Sequence, residues 1–379
     1  MNHAPELQCP PEYEEEHRPV HVRKLERPHA LVKAQRLAFL RFGKKDLDSS
    51  ERFWQDFGLE TRVRSAAQLV MCSSDGSQAA IVATRAHDSA FLGAAFELSA
   101  DTDWGQLAKQ TGGRRLNPEE IPGGGDGLEL HDPEGFAVWL IAPGLRQPAR
   151  QLREPIHPNQ NHLKNSIRIN ATVRPPLEVA RIGRLGHYVL QTARFEQMAQ
   201  WYMRHLGLIP SDVQYLEDGS TLLCFFRLDL SELPTDHHTV VLACGLQASY
   251  EHSAFEVLDL DALGQGQQLM KARGHRHFWG IGRHVLGSQL FDYWCDDDGM
   301  QFEHYTDGDL FTSDRPTHYV PFSPGSIWAW GQDAPKEIFP RKSLQTAWLA
   351  IRALSSRLYT FTQLKAMASA TGRPARPWL

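Results

Sequence analysis

Nowhere do the 379 residues hold the roughly 18 uninterrupted apolar positions that a membrane-spanning helix needs, so no membrane partner is expected. There is no basic run either, and 40 Lys+Arg against 45 Asp+Glu give a net charge of −5. That balance argues against nucleic acid as the main partner. Cysteine is scarce: Cys9, Cys72, Cys224, Cys244 and Cys295 are odd in number, scattered and free of any CxxC pair. They read as reduced thiols in a cytoplasmic protein. The polar, acidic N-terminus MNHAPELQCPPEYEEEHRP does not read as a signal peptide. What remains, with 41% apolar and 22% charged residues, is a soluble globular chain long enough for about two or three domains. Its 18 histidines are more than packing requires.

An internal repeat organises the chain. RLAFLRFGKKDLDSSERFWQDFGL (Arg36 to Leu59) and RLGHYVLQTARFEQMAQWYMRHLGL (Arg184 to Leu208) each read as a strand followed by an amphipathic helix. Gly58 and Gly207 supply the left-handed residue that closes each helix. The parallel continues in GAAFE (from Gly93) and HSAFE (from His252), each a strand before a second helix. It continues again in LELHDPEGFAVWLI and FDYWCDDDGMQFEHY, each a hairpin about an Asp- and Gly-containing turn. Each half therefore reads as βαβββ taken twice, an α+β protein of tandem βαβββ modules. The expected organisation is an N-terminal extension (1–33), an N-terminal module without metal (34–145), a linker (146–178), a C-terminal catalytic module (179–322), and a C-terminal loop with a helical tail (323–379). His157 and His162 fall in the polar, Pro-containing linker and read as surface residues.

Positions shared by the two halves must maintain the fold, whereas positions that differ are free to be functional. Phe39 corresponds to His187, Gly93 to His252 and, counting from the turn glycines Gly135 and Gly299, Trp139 to Glu303. Three apolar or small residues in one half become two histidines and a carboxylate in the other. Two neutral imidazoles and one carboxylate are the ligand set of a facial triad, which holds a divalent iron on one face and leaves the other open.

The chain from Arg36 to Gly308 resembles the type I extradiol ring-cleavage dioxygenases of the vicinal oxygen chelate superfamily. The motifs that carry the resemblance are HSAFEV (His252 to Val257) and GIGRHVLGSQLFDYWCDDDGMQFEHYTDGD (Gly280 to Asp309). They contain Gly282-Arg283-His284, Tyr293, the turn Asp296 to Gly299, Glu303 and Tyr305. Asp296-Asp297 replaces the family's Asp-Pro, a departure read as affecting only the turn. The resemblance implies glyoxalase-like modules, each forming an incomplete barrel. It implies His187, His252 and Glu303 as ligands of Fe(II), with Mn(II) acceptable to the same set, and a catecholic substrate cleaved by O2 beside its vicinal diol.

It also implies a proton-handling histidine about fourteen residues before the second ligand. His238 fits, and its neighbour His237 fits less well because Thr239 follows His238 as the pattern prefers. His284 and Tyr293 match residues that contact bound catecholate, and a homo-oligomer (dimer or tetramer) is the usual assembly. Trp328 and Trp330 lie in a loop that either closes over the pocket or packs the tail, and Trp279 is placed to shape the pocket. The alternatives are a 4-hydroxyphenylpyruvate-type dioxygenase or an isomerase of the same superfamily, or a non-catalytic small-molecule-binding protein of the same fold.

Overall fold

The computed structural model describes residues 18–159, 167–338 and 343–375. The first 17 residues of the expected extension, and His162, lie outside the described residues.

Strand β1 (Arg36–Lys44) leads into α1 (Leu47–Phe57). The helix starts where Asp46 Oδ1 accepts the backbone N–H groups of Asp48 and Ser49 at 2.9 and 3.2 Å. It stops at Gly58, whose φ of 111° suits glycine. Phe53, Trp54 and Phe57 project inward and are buried. Then come β2 (Glu60–Arg64), β3 (Gln68–Cys72), β4 (Ile81–Arg85), β5 (Ala90–Glu97), α2 (Trp104–Thr111), β6 (Arg114–Arg115), β7 (Gly127–His131) and β8 (Ala137–Ile141). The sheet order β2-β3-β4-β1-β5-β8-β7-β6 is two βαβββ units joined along β1 and β5.

The second half repeats the plan with β9 (Ile182–Thr192), α3 (Phe195–Leu206), β10 (Ile209–Tyr215), β11 (Thr221–Arg227), the short β12 (Thr235–Asp236), and β13 (Val240–Cys244). Its second unit is β14 (Ser249–Val257), α4 (Leu260–Ala272), β15 (Arg276–His284), β16 (Leu290–Cys295) and β17 (Gln301–Thr306). β18 (Leu310–Phe311) pairs with β12, while β19 (His318–Pro321) and β20 (Trp328–Gly331) extend the main sheet. That sheet runs β19-β10-β11-β13-β9-β14-β17-β16-β15-β20. The tandem modules expected from the repeat are present, each sheet open at its edges as an incomplete barrel. Between them the described linker residues form no helix or strand, and Arg153 ties this crossing to α4 through a fork on Asp259, 2.6 Å on each arm.

One expectation needs correction. The stretch around Trp328 and Trp330 is not a loop but β20, which satisfies the edge of β15 through the pairs Gly282↔Gly331 and His284↔Trp328. Trp328 is buried edge-on against Trp279, centroids 5.6 Å apart, while Trp330 is half exposed. The helical tail consists of two helices, α5 (Leu344–Ser355) and α6 (Phe361–Thr371).

The Asp-rich turn does more than reverse the chain. Lys44, fully buried at the end of β1, contacts the Asp296 carboxylate and reaches Asp298 Oδ2 at 3.1 Å, and Ser49 donates to Asp297. The turn that precedes Glu303 is thereby fastened to the other half of the molecule. Removing one partner of a buried ion pair leaves an uncompensated charge. Lys44→Met is therefore expected to lower unfolding free energy by about 3–5 kcal/mol, measured by urea denaturation. The double variant Lys44→Met/Asp296→Asn should recover much of that loss.

The halves share one apolar core. Phe302 on β17 meets Phe42, Phe53, Trp54 and Phe57 at centroid distances of 5.8, 5.4, 5.9 and 6.2 Å. His304, on the same face of β17, stacks on Phe57 at 3.7 Å and donates from Nε2 to the Phe57 carbonyl at 2.6 Å. Burial pulls the His304 pKa down to about 4, so it packs as a neutral ring. Elsewhere the hairpin between β7 and β8 hooks onto α3, where Tyr202 donates to Asp132 Oδ2 at 3.1 Å. Burial pushes Asp132 up to about 6, above the ordinary carboxylate value near 3.9. The folded protein then binds more protons than the unfolded chain between those two values, so stability falls as pH rises through that window. The full loss is about 3 kcal/mol. Asp132→Asn is expected to flatten this slope, read from urea midpoints between pH 4 and pH 7.

Candidate metal centre

Strand register brings the three expected ligand positions together. Ala254 on β14 lies opposite His187 on β9 on one side and opposite Glu303 on β17 on the other. His252 precedes Ala254 by two residues and so projects from the same face of β14. The small Ala254 side chain leaves room between the larger ones. One ligand atom from each of His187, His252 and Glu303 lies within 4.8 Å of the others. Each imidazole Nε2 is 3.3 Å from Glu303 Oε2.

The N-terminal half shows the same register with a different filling. Ala95 lies opposite Phe39 and Trp139, as Ala254 lies opposite His187 and Glu303. Phe39 and Trp139 meet edge-on at 6.2 Å inside a small apolar cluster. Trp139 Nε1 donates to Glu129 at 2.8 Å. Gly93 is held at φ +140°, and a Cβ there would come within 1.8 Å of the Ala137 carbonyl oxygen. A histidine could not replace it without moving the backbone, so this half cannot present the same three donors.

The Glu303 carboxylate is completely buried, and neither oxygen has a hydrogen-bond partner. A buried carboxylate without a hydrogen bond of its own is costly. Burial alone would raise its pKa, but the facing rings of His187, His252 and His284 hold it well below the usual range. Burial also lowers His187, favouring the neutral ring that a metal ligand needs. Two imidazoles beside an anionic carboxylate without a hydrogen bond fit a divalent cation. Tyr305 supports this centre from behind. Its ring lies 5.5 Å from that of His187 and occupies the space a Cβ on Gly186 would need. Its hydroxyl donates to Asp236 at 3.4 Å, and Asp236 is gripped by the Arg184 fork at 2.6 and 2.7 Å.

The remaining expected residues surround the same carboxylate. The His238 ring lies 4.1 Å from the His187 ring. Burial, then the neighbouring His187 and His237, hold its pKa well below the ordinary value, so it is uncharged. Tyr293 lies opposite Glu303 in the β16–β17 pairing and 5.0 Å edge-on from His252. His284 Nδ1 donates to the Ile327 carbonyl at 2.8 Å, and its Nε2 is hydrogen-bonded to the Tyr293 hydroxyl at 3.0 Å. Trp279 stacks along Tyr293 at 5.5 Å and Phe291 along His284 at 4.1 Å. These rings make an apolar wall in which hydrogen bonds count for more than in water. Sequence reasoning did not single out Asp212 and His318, which continue inward and outward from His237, nor Arg184 and Asp236. A buried acid such as Asp212 leaves no periodicity to notice, because its partners come from strands far apart in the chain.

No family model matches the chain. Metapyrocatechase 2 of Cupriavidus necator is 27% identical over 307 residues, covering 79% of this chain and 89% of that protein. Among solved structures, an extradiol ring-cleaving dioxygenase from Brevibacterium fuscum superposes with TM-score 0.68 at 19% identity, covering 85% of this chain and 87% of its own. The Mn(II)-bound glyoxalase from Novosphingobium aromaticivorans gives TM-score 0.67 at 19% identity, over 83% of this chain and 96% of its own. The chain has the fold these proteins share.

Proposed function

We infer that the chain is a type I extradiol ring-cleavage dioxygenase of the vicinal oxygen chelate superfamily, which opens the aromatic ring of a catecholic substrate beside its diol. The observation that carries this reading is the buried, unpartnered Glu303 carboxylate facing His187 and His252, with His238, His284 and Tyr293 around it. We propose those first three as the metal ligands and Fe(II) as the metal, Mn(II) being acceptable to the same donors. A bound divalent metal would supply Lewis acidity towards the two diol oxygens and an open side for O2.

The chain's own residues do the rest. His238, neutral and buried, would accept a phenolic proton and return it once the ring opens, a two-way role that suits imidazole. Tyr293 and His284 form a hydrogen-bonded pair beside Glu303 and would orient the charged oxygens of the substrate. Trp279, Phe291 and Trp328 keep water from that side. Homo-oligomeric assembly belongs to the same reading. The apolar residues that α5 exposes, Leu344, Trp348 and Ile351, support it, and light scattering would measure it. No helix among the described residues is long and apolar enough to cross a membrane, and the unpaired thiols of Cys72, Cys224, Cys244 and Cys295 support a cytoplasmic setting.

The test is oxygen uptake by protein reconstituted anaerobically with Fe(II) and given a panel of catechols. We expect consumption of one O2 per catechol and a ring-opened product absorbing in the visible. Protein that binds the metal but takes up no oxygen with any catechol would instead be an isomerase or a binding protein on this fold.

A further inference from the structure

We infer that His237 and Asp212 are positioning residues that fix the tautomer of His238, making its Nε2 the unprotonated nitrogen. The inference rests on reading His238 as the proton-handling group. His237 Nδ1 lies 2.8 Å from His238 Nδ1, and His237 Nε2 contacts the Asp212 carboxylate. The second oxygen of Asp212 accepts from His318 Nδ1 at 2.7 Å. His237, His238 and Asp212 are buried, whereas the His318 side chain retains 26% of its exposure.

For two neutral rings the donor and acceptor inventory leaves one consistent arrangement, which a cationic His237, donating from both nitrogens, would reverse. An ionised carboxylate only accepts, so His237 Nε2 carries the hydrogen. A neutral His237 therefore has a bare Nδ1. A nitrogen–nitrogen contact of 2.8 Å needs one hydrogen between the two atoms, and only His238 Nδ1 can supply it. His238 Nε2 is left with its lone pair, the form a general base requires. A ring that was free to rotate or change tautomer would offer N–H to the site part of the time.

The surroundings hold this arrangement. Phe225 packs against both rings, at 5.3 Å from His237 and 5.1 Å from His238, and Phe311 lies 5.2 Å from His237. The His237 N–H donates to the Asp309 carbonyl at 2.9 Å. Gly287 lies against the His237 ring, and a Cβ there would sit 2.9 Å from Nδ1. The parallel pairing of β10 with β19 sets Asp212 directly across from His318. Each ring and carboxylate has its neighbours on fixed strands or tight turns, so the tautomer is set by the fold rather than by solvent.

Two measurements decide it. Two-bond ¹⁵N–¹H spectra of the full, metal-free chain labelled at histidine, with His238 assigned by its loss in His238→Gln, should show a protonated Nδ1 and a bare Nε2 for His238. His237, assigned the same way through His237→Phe, should show the opposite. Finding the His238 proton on Nε2 overturns the inference, whatever the enzyme's activity. In the Fe(II)-loaded enzyme, His237→Phe should lower kcat about 10–100-fold with KM and metal content unchanged. A kcat within about twofold of the parent overturns it. A chain with the expected tautomers but no oxygen uptake would leave the tautomer assignment standing and refute the proposed reaction.

Discussion

Glu303→Gln is expected to leave a folded protein that no longer retains its metal. The side chain keeps its size and its place on β17, packed with Tyr293 across the strand pair, so only the charge is lost. That charge lies fully buried without a hydrogen bond, between imidazoles of which His187 is held neutral by burial. A divalent ion in this position would owe its attraction mainly to the one anion in its ligand set. Altering a residue that merely supports a ligand costs about 10–100-fold in affinity or activity, so loss of the ligand's charge should cost more than about 10². After dialysis the variant should retain a small fraction of the parent's metal by elemental analysis.

Stability provides an independent and less obvious reading of the same change. Without metal, the facing imidazoles already hold the carboxylate ionised, and an amide forfeits that attraction, so the metal-free variant should be no more stable than the metal-free parent. With metal, the parent alone should gain, by about 2.7 kcal/mol at a free metal concentration 100 times its Kd. A variant that binds a full equivalent of Fe(II) and shows the parent's thermal upshift would remove Glu303 from the ligand set.

The duplication is why the donor positions could be read from sequence at all. Phe39, Gly93 and Trp139 mark where a module of this kind puts ordinary residues, and the register of β1, β5 and β8 matches that of β9, β14 and β17. Helix ends at Gly58 and Gly207 were legible because a left-handed residue after an apolar stripe is a local requirement. Contacts between distant segments were not. Lys44 and Asp296 are 252 positions apart, and a lysine closing a strand looks the same in sequence whether solvated or buried. The turn was read as inert for that reason. β20 was missed because Trp and Gly in a Pro-containing stretch carry no alternation, and only the unsatisfied edge of β15 makes a strand of it. His237 was passed over because a doubled histidine gives no clue that one ring can set the other's protons.

His238→Phe tests the chemistry rather than the binding. The phenyl ring fills the same space between His187 and Phe225 and needs no hydrogen bond, so the fold and the three proposed ligands should persist. Metal content should stay within experimental scatter of the parent. What disappears is a neutral acceptor for the phenolic proton, which burial and two neighbouring histidines keep uncharged through the neutral range. General acid–base groups contribute typically about 10²–10⁴-fold, and kcat for oxygen uptake should fall by that factor. Because His238 both takes and returns a proton in the proposed reaction, the ring-opening step should slow as well as substrate deprotonation. In single turnovers the variant is therefore expected to accumulate a species before product, where the parent shows none. An unchanged kcat with full metal occupancy would mean that solvent or another side chain moves the proton, and that His238 serves only to pack the wall of the site.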